Sequence, residues 1–261
     1  MNLVNIAHRG NSAHAPENTL AAFASAAAAG AGMIETDLQL SADGTVVLIH
    51  DDTLNRTGGR NGRVAELTGT ELQHADAGSW FAPAYAGERI PCLEDLVEFA
   101  AENTGLHWLL EFKGEWTPDQ VAGAAETLRS AGLGGRCVLQ GFSPRTVRSL
   151  YAAAPDLDRG LLMMMQPAPG EDAQLLGFLA ETRTGYCNPH VGVLRSSPHL
   201  VSALQEEGVK VFTWTLNEPA QWEAAAAAGV EGIITDRPAE LAEWSRHTQS
   251  HSGRAGAGSG I

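Results

Sequence analysis

Short apolar runs rich in strand formers alternate with Ala-rich amphipathic stretches along most of the chain. The runs predict strands near Leu3–Ala7, Met33–Leu38, His107–Phe112, Arg136–Gly141, Arg159–Met163, Gly185–Asn188, Lys210–Thr215 and Gly232–Thr235. The stretches between them predict helices. The first runs from Asn18 to Ala29 and is closed by Gly30 and Gly32. Others lie near Leu93–Glu102, Pro118–Ser130, Pro144–Ala153, Ala173–Leu179, Pro198–Glu207, Pro219–Ala228 and Pro238–Trp244, several opening on a proline whose fixed φ suits a first helical turn. Strand–helix repetition of this kind predicts an α/β protein, a (β/α)8 TIM barrel. An open doubly wound sheet is the weaker alternative, because no Gly-x-Gly-x-x-Gly turn follows the first strand.

Two segments break the rhythm. Thr45–His50 follows the second strand across Ser41-Ala42-Asp43-Gly44, a hairpin signal, so Val46–His50 is expected to return antiparallel to it. Asp51 to Pro91 is long and Gly-rich, with one short helix expected where Thr68 and Glu71 form a capping box. A loop of that size in a compact domain is usually functional. The expected layout is one domain over residues 1–245, an insertion at about 51–91, and a small, polar, disordered tail over 246–261.

The 261 residues are 44% hydrophobic, enough for a full core, and carry a formal net charge of −14. That charge speaks against nucleic-acid or anionic-membrane partners. No apolar stretch approaches a membrane span and no signal peptide is visible, so a cytoplasmic enzyme is the default expectation. Cys92, Cys137 and Cys187 are odd in number and widely spaced, and are expected to be buried free thiols.

In a barrel the functional rim lies at the C-terminal ends of the strands. His8 and Arg9 end the first strand, Glu35 and Asp37 the second, Glu111 and Lys113 the third; each of the last two pairs is two residues apart and shares a face. The hairpin is expected to return His50 to the level of Glu35 or Asp37, on their side of the ribbon. Three carboxylates together repel, and Ca²⁺ or Mg²⁺ would relieve them through oxygen ligation. Arg9 and Lys113 would add positive charge for an anion, and the imidazoles a proton donor and acceptor. Such a set suits phosphodiester cleavage.

The chain also resembles the glycerophosphodiester phosphodiesterases, from about Leu3 to Trp244. The resemblance lies in His8-Arg9-Gly10, Pro16-Glu17-Asn18-Thr19, Glu35-Thr36-Asp37, Asp43-Gly44 with His50-Asp51, Leu54-Asn55-Arg56-Thr57, Ile90-Pro91, Glu111-Phe112-Lys113, Trp214-Thr215 with Asn217, and Gly232-Ile233-Ile234-Thr235-Asp236-Arg237-Pro238. It implies a phospholipase C-like TIM barrel that releases sn-glycerol 3-phosphate. It implies His8 and His50 as the acid–base pair, Glu35, Asp37 and Glu111 as ligands of Ca²⁺ or Mg²⁺, Arg9 and Lys113 as phosphate contacts, and an insertion covering part of the site. Departures at Arg56-Thr57-Gly58-Gly59, Cys92 and Gln140-Gly141-Phe142-Ser143 touch the lid and the substrate wall. Trp214 is expected on that wall, Asn18 and Thr19 as helix caps, and Met163-Met164-Met165 as filler of core or pocket. The expected partner is a small glycerophosphodiester. Two alternatives remain: a lysophospholipase D-like activity with an apolar groove from Trp80, Phe81 and Tyr85, and a non-catalytic phosphate-binding barrel.

Overall fold

The structure, a computed structural model, describes residues 3–168 and 170–255. Its strands are β1 (Val4–His8), β2 (Met33–Leu40), β3 (Val46–Leu48), β4 (His107–Phe112), β5 (Cys137–Gly141), β6 (Asp158–Met163), β7 (Tyr186–Pro189), β8 (Lys210–Thr213) and β9 (Gly232–Thr235). The helices are α1 (Leu20–Ala28), α2 (Gly69–Gln73), α3 (Leu93–Glu102), α4 (Pro118–Ser130), α5 (Pro144–Ala153), α6 (Asp172–Glu181), α7 (Val191–Ser196), α8 (His199–Glu206), α9 (Pro219–Ala227) and α10 (Pro238–Ala255). The parallel order β1-β9-β8-β7-β6-β5-β4-β2 closes through a β1–β2 pairing, and β3 lies outside, antiparallel to β2. This is the expected eight-stranded barrel with its hairpin.

Alternation along each strand divides the core. Ile6, Met33, Leu109, Val138, Tyr186, Phe212 and Ile234 fill the barrel interior. Ala7, Ile34, Leu110 and Leu139 face outward into the layer shared with α1, α3, α4 and α5, and Leu161, Cys187, Val211 and Ile233 do so on the other half. Two residues beyond the interior apolar layer these strands reach the rim, so the same alternation that buries Ile6, Met33 and Leu109 directs His8, Glu35 and Glu111 inward.

The insertion builds a satellite core of its own from Leu54, Val64, Leu72, Ala75, Ala77 and Ile90 against Val47 and Ile49. Its helix α2 carries the expected Thr68–Glu71 capping box. Helix α7, between β7 and α8, lies where no element was expected. The final helix continues to Ala255 through sequence read as a disordered tail, and 256–261 lie outside the described residues. All three cysteines are free and buried, with burial raising each thiol to about 12. Among the described residues no helix is long and apolar enough to cross a membrane.

Candidate active site

The loop after β1 folds back sharply. Gly10 adopts φ +84°, and a Cβ there would fall 2.7 Å from the α1 backbone at Ala22. Arg9 itself takes φ 56°, a left-handed backbone that a non-glycine residue adopts at a cost. The turn lets the Arg9 backbone N–H donate to Glu35 Oε2 (3.0 Å), while the guanidinium pairs with Glu17 Oε1 (2.8 Å) and approaches Asp37 Oδ2 (3.3 Å).

The segment Pro16-Glu17-Asn18-Thr19 has a separate task for each polar residue. Glu17 also receives Arg56, at 2.6 and 2.8 Å. Asn18, at φ 58°, donates to Asp37 Oδ2 (2.8 Å) and accepts from the Thr36 hydroxyl (2.7 Å). Thr19 caps α1 by accepting from Ala22 N–H. Of the two expected caps, only Thr19 is one; Asn18 instead steadies an acidic residue of the rim.

Glu35, Asp37 and Glu111 are buried, and one oxygen of each lies within 4.8 Å of the others. Burial, with repulsion from Asp37 and Glu111, lifts the Glu35 carboxyl well above its ordinary range. Burial and Asp37 raise Glu111 to about 7. Asp37 goes the other way: burial opposes its ionisation, but Arg9 and Lys113 outweigh it. Lys113 Nζ sits 3.1 Å from Glu111 Oε1 and 3.5 Å from Asp37 Oδ1. An all-oxygen cluster in which two carboxylates resist ionisation fits a hard divalent cation.

Each histidine leans on a carboxylate. His8 Nδ1 meets Asp236 Oδ1 at 2.6 Å, and His50 Nδ1 meets Asp51 Oδ1 at 2.8 Å. An ionised carboxylate only accepts, so Nδ1 carries the proton in both and Nε2 is left for chemistry. Asp236 is held by Asn217 Nδ2 (2.6 Å) and the Ser12 hydroxyl (3.1 Å). Burial alone would raise its pKa, but the bonds from His8 and Asn217 bring it down to about 2. Asp51 is also held below its ordinary range, by hydrogen bonds from Arg56, whose Nε and Nη2 reach it at 2.8 Å. Burial lowers His50, the positive charges of Arg9 and Lys113 add to that, and Asp37 and Asp51 oppose it.

His50 reaches the rim by a route other than the expected one. The ladder pairs Leu38 with Leu48 and Leu40 with Val46, a register that would set residue 50 opposite Thr36, on the wrong face. The strand instead ends at Leu48. Gln39, inward like Asp37, donates Nε2 to the carbonyls of Ile49, His50 and Asp51, each at 2.9 Å, and so gathers the bend that aims His50.

His8, Arg9, Glu35, His50, Glu111 and Lys113 line one cavity of about 270 Å³ with Gln140, Phe142, Leu162, Met164, Trp214 and Ile234. The sequence-predicted residues thus come together, with Asp37 in the acidic cluster beside them. Trp214 forms wall, donating Nε1 to Asn188 O (2.8 Å) and packing edge-on to Phe142, centroids 5.5 Å apart. The apolar side differs from expectation. Trp80 and Tyr85 each pack edge-on against Phe81, and no insertion residue past His50 lines the cavity. Of the methionine run, Met163 packs against the outer core and Met164 lines the cavity at its exposed edge, as expected; only Met165, exposed and outside the cavity lining, departs from the expectation.

Asp236, Asp51, Asn217 and Gln39 support the histidines without having been singled out for that from sequence. Asp51, Asn217 and Asp236 lie in short polar motifs, the one available signal; Gln39 had none beyond its parity with Asp37.

The sequence profile of the Glycerophosphoryl diester phosphodiesterase family matches residues 8–240. The glycerophosphodiester phosphodiesterase of Caldanaerobacter subterraneus subsp. tengcongensis is 34% identical, over 90% of this chain and 95% of that one. That of Bacillus altitudinis is 30% identical, over 89% and 94%. An Oleispira antarctica phosphodiesterase solved in complex with the product sn-glycerol-3-phosphate superposes with a TM-score of 0.83 at 28% identity, covering 92% of this chain and 96% of that one.

Proposed function

Because the chain belongs to the glycerophosphoryl diester phosphodiesterase family, we propose that it hydrolyses glycerophosphodiesters to sn-glycerol 3-phosphate and an alcohol. The observation that carries this reading is the meeting of two carboxylate-backed histidines, Arg9, Lys113 and a buried acidic cluster at one barrel-mouth cavity.

Glu35, Asp37 and Glu111 would hold Ca²⁺ or Mg²⁺, which when bound supplies charge to neutralise the non-bridging phosphate oxygens. Arg9, fixed by Glu17 and Asp37, and Lys113 bind the same phosphate from the protein side. One histidine takes a proton from the nucleophile, water or the neighbouring glycerol hydroxyl, and the other gives one to the departing alkoxide. Nδ1 of each is committed to Asp236 or Asp51, so both proton transfers run through Nε2. Phe142, Leu162, Met164 and Trp214 exclude water on the opposite side.

Glycerophosphocholine is the test substrate. We expect glycerol phosphate release with added Ca²⁺ or Mg²⁺, its loss on chelation, and kcat down about a thousandfold in His8→Ala and His50→Ala. Metal-dependent binding without turnover would instead favour the non-catalytic barrel. The exposed Met164–Met165 edge favours a second reading, cleavage of single-chain lysophospholipids. Faster turnover of lysophosphatidylcholine than of glycerophosphocholine in the same assay would select it.

A further inference from the structure

Away from the acidic cluster, the deeply buried residues lining the cavity are Leu162 and Ile234, both apolar, and Gln140, only 1% exposed. An amide buried on an apolar floor carries a desolvation cost that its hydrogen bonds must offset. Only half of this amide is matched. Asn188 Nδ2 donates to Gln140 Oε1 at 2.7 Å, and among the described residues Gln140 Nε2 makes no hydrogen bond.

The direction of that amide is imposed from the far side of the barrel. The Phe212 backbone N–H donates to Asn188 Oδ1 at 3.2 Å. A backbone N–H can only donate, so the Asn188 oxygen must face Phe212 and its NH₂ must face Gln140. Gln140 must therefore turn its oxygen to Asn188 and its NH₂ away. The strand between them makes room. On β6, a Cβ at Gly160 would lie 3.4 Å from both Asn188 Nδ2 and Gln140 Cβ and 3.3 Å from Tyr186 Cβ. The barrel layer is thus arranged around two interlocked amides, with an N–H pair left over beside the cavity.

We propose that Gln140 selects the glycerol half of the substrate, its Nε2 donating to a glycerol hydroxyl oxygen, with Asn188 as the positioning residue that fixes the amide. The inference rests on the glycerophosphodiesterase reading. Gln140 is paired in register with Glu111, so it stands next to the phosphate position, one strand further round the barrel. Phosphate charge is already matched by Arg9 and Lys113. A neutral N–H donor flanked by Leu162 and Phe142 suits the carbon–hydroxyl chain instead. A hydroxyl oxygen accepts from it and keeps its own O–H free to donate. A site that hydrogen-bonds a hydroxyl discriminates strongly against an analogue lacking it.

The test is binding of sn-glycerol 3-phosphate and of ethyl phosphate, which has the same phosphate and no hydroxyl, by calorimetry in the presence of Ca²⁺. Wild type is expected to bind sn-glycerol 3-phosphate about tenfold or more tighter. Gln140→Met, close in shape, should erase that preference and leave ethyl phosphate within about twofold. Asn188→Ala, which frees the amide to turn, should reduce the preference partway with the same sparing of ethyl phosphate, and serves if Gln140→Met does not fold. Equal weakening of both ligands would mean that Gln140 serves the phosphate or the acidic cluster, and would overturn the proposal. So would an unchanged preference in both variants, or a wild type that binds the two alike or binds neither. Failure of the activity reading shows separately, as no turnover of glycerophosphocholine by wild type.

Discussion

His8 and His50 carry the same ring into different surroundings. Asp236, behind His8, is supported by neutral donors, Asn217 and Ser12. Asp51, behind His50, shares its charge with Arg56. His8 therefore depends on Asp236 alone for the anion that keeps its proton on Nδ1. An asparagine at 236 can offer His8 either an oxygen or an NH₂, and the second choice moves the ring proton to Nε2. We expect Asp236→Asn to lower kcat about 100-fold with KM changed less than about threefold. The same variant has a stability signature. A carboxyl held at about 2, below its ordinary 3.8, contributes stability above pH 4 that is lost as pH falls through about 2. The shift corresponds to about 2 kcal/mol. The variant's deficit in urea unfolding should be full at pH 6 and shrink by pH 3. A deficit independent of pH would remove the Asp236 charge from the explanation.

The hairpin is where one element decides the geometry of another. Buried parallel strands are short apolar runs ended by polar or turn residues, so β1, β2 and β4 to β9 were legible, as were the caps and prolines that start the helices. The hairpin was legible as an element but not in register, because Ser41–Gly44 allows more than one turn and parity alone cannot say where a ladder stops. Helix α7 was not legible, being one short turn-and-a-half folded against β7. The histidine partners were hidden by distance: Asp236 is 228 positions from His8. What brings His50 round is Gln39, whose single NH₂ is shared among three carbonyls. Gln39→Leu would leave those carbonyls without that donor in a largely buried turn, at about 1–3 kcal/mol. The expected result is a stability loss of that size with kcat down about tenfold or more, since the bend that aims His50 loosens. Stability loss with unchanged kcat would show that the bend holds His50 without Gln39.

At the scale of the whole molecule, the barrel brings acidic side chains of two adjacent strands into one buried cluster within a chain whose net charge is already −14. Without a cation the folded state relieves that repulsion by holding protons. Glu111 rises to about 7 and Glu35 also rises, both from burial first and neighbouring carboxylates second. Between the ordinary carboxylate range and pH 7 the folded protein then binds more protons than the unfolded chain, so its stability falls as pH rises. For Glu111, moved from 4.5 to about 7, the loss amounts to about 3 kcal/mol. A divalent cation competes with those same protons, so it binds more tightly as pH rises and its stabilisation grows where the metal-free protein weakens. Two melting series follow, one with chelator and one with millimolar Ca²⁺, each from pH 5 to 8. The chelated protein should melt progressively lower toward pH 8, the Ca²⁺ series should stay flat or rise, and the gap should be widest at pH 8. Glu111→Gln should flatten the chelated series and close much of the gap. Parallel curves with and without Ca²⁺ would mean that the cluster holds protons for a reason other than a vacant charge requirement, and that the phosphate is met by Arg9 and Lys113 alone.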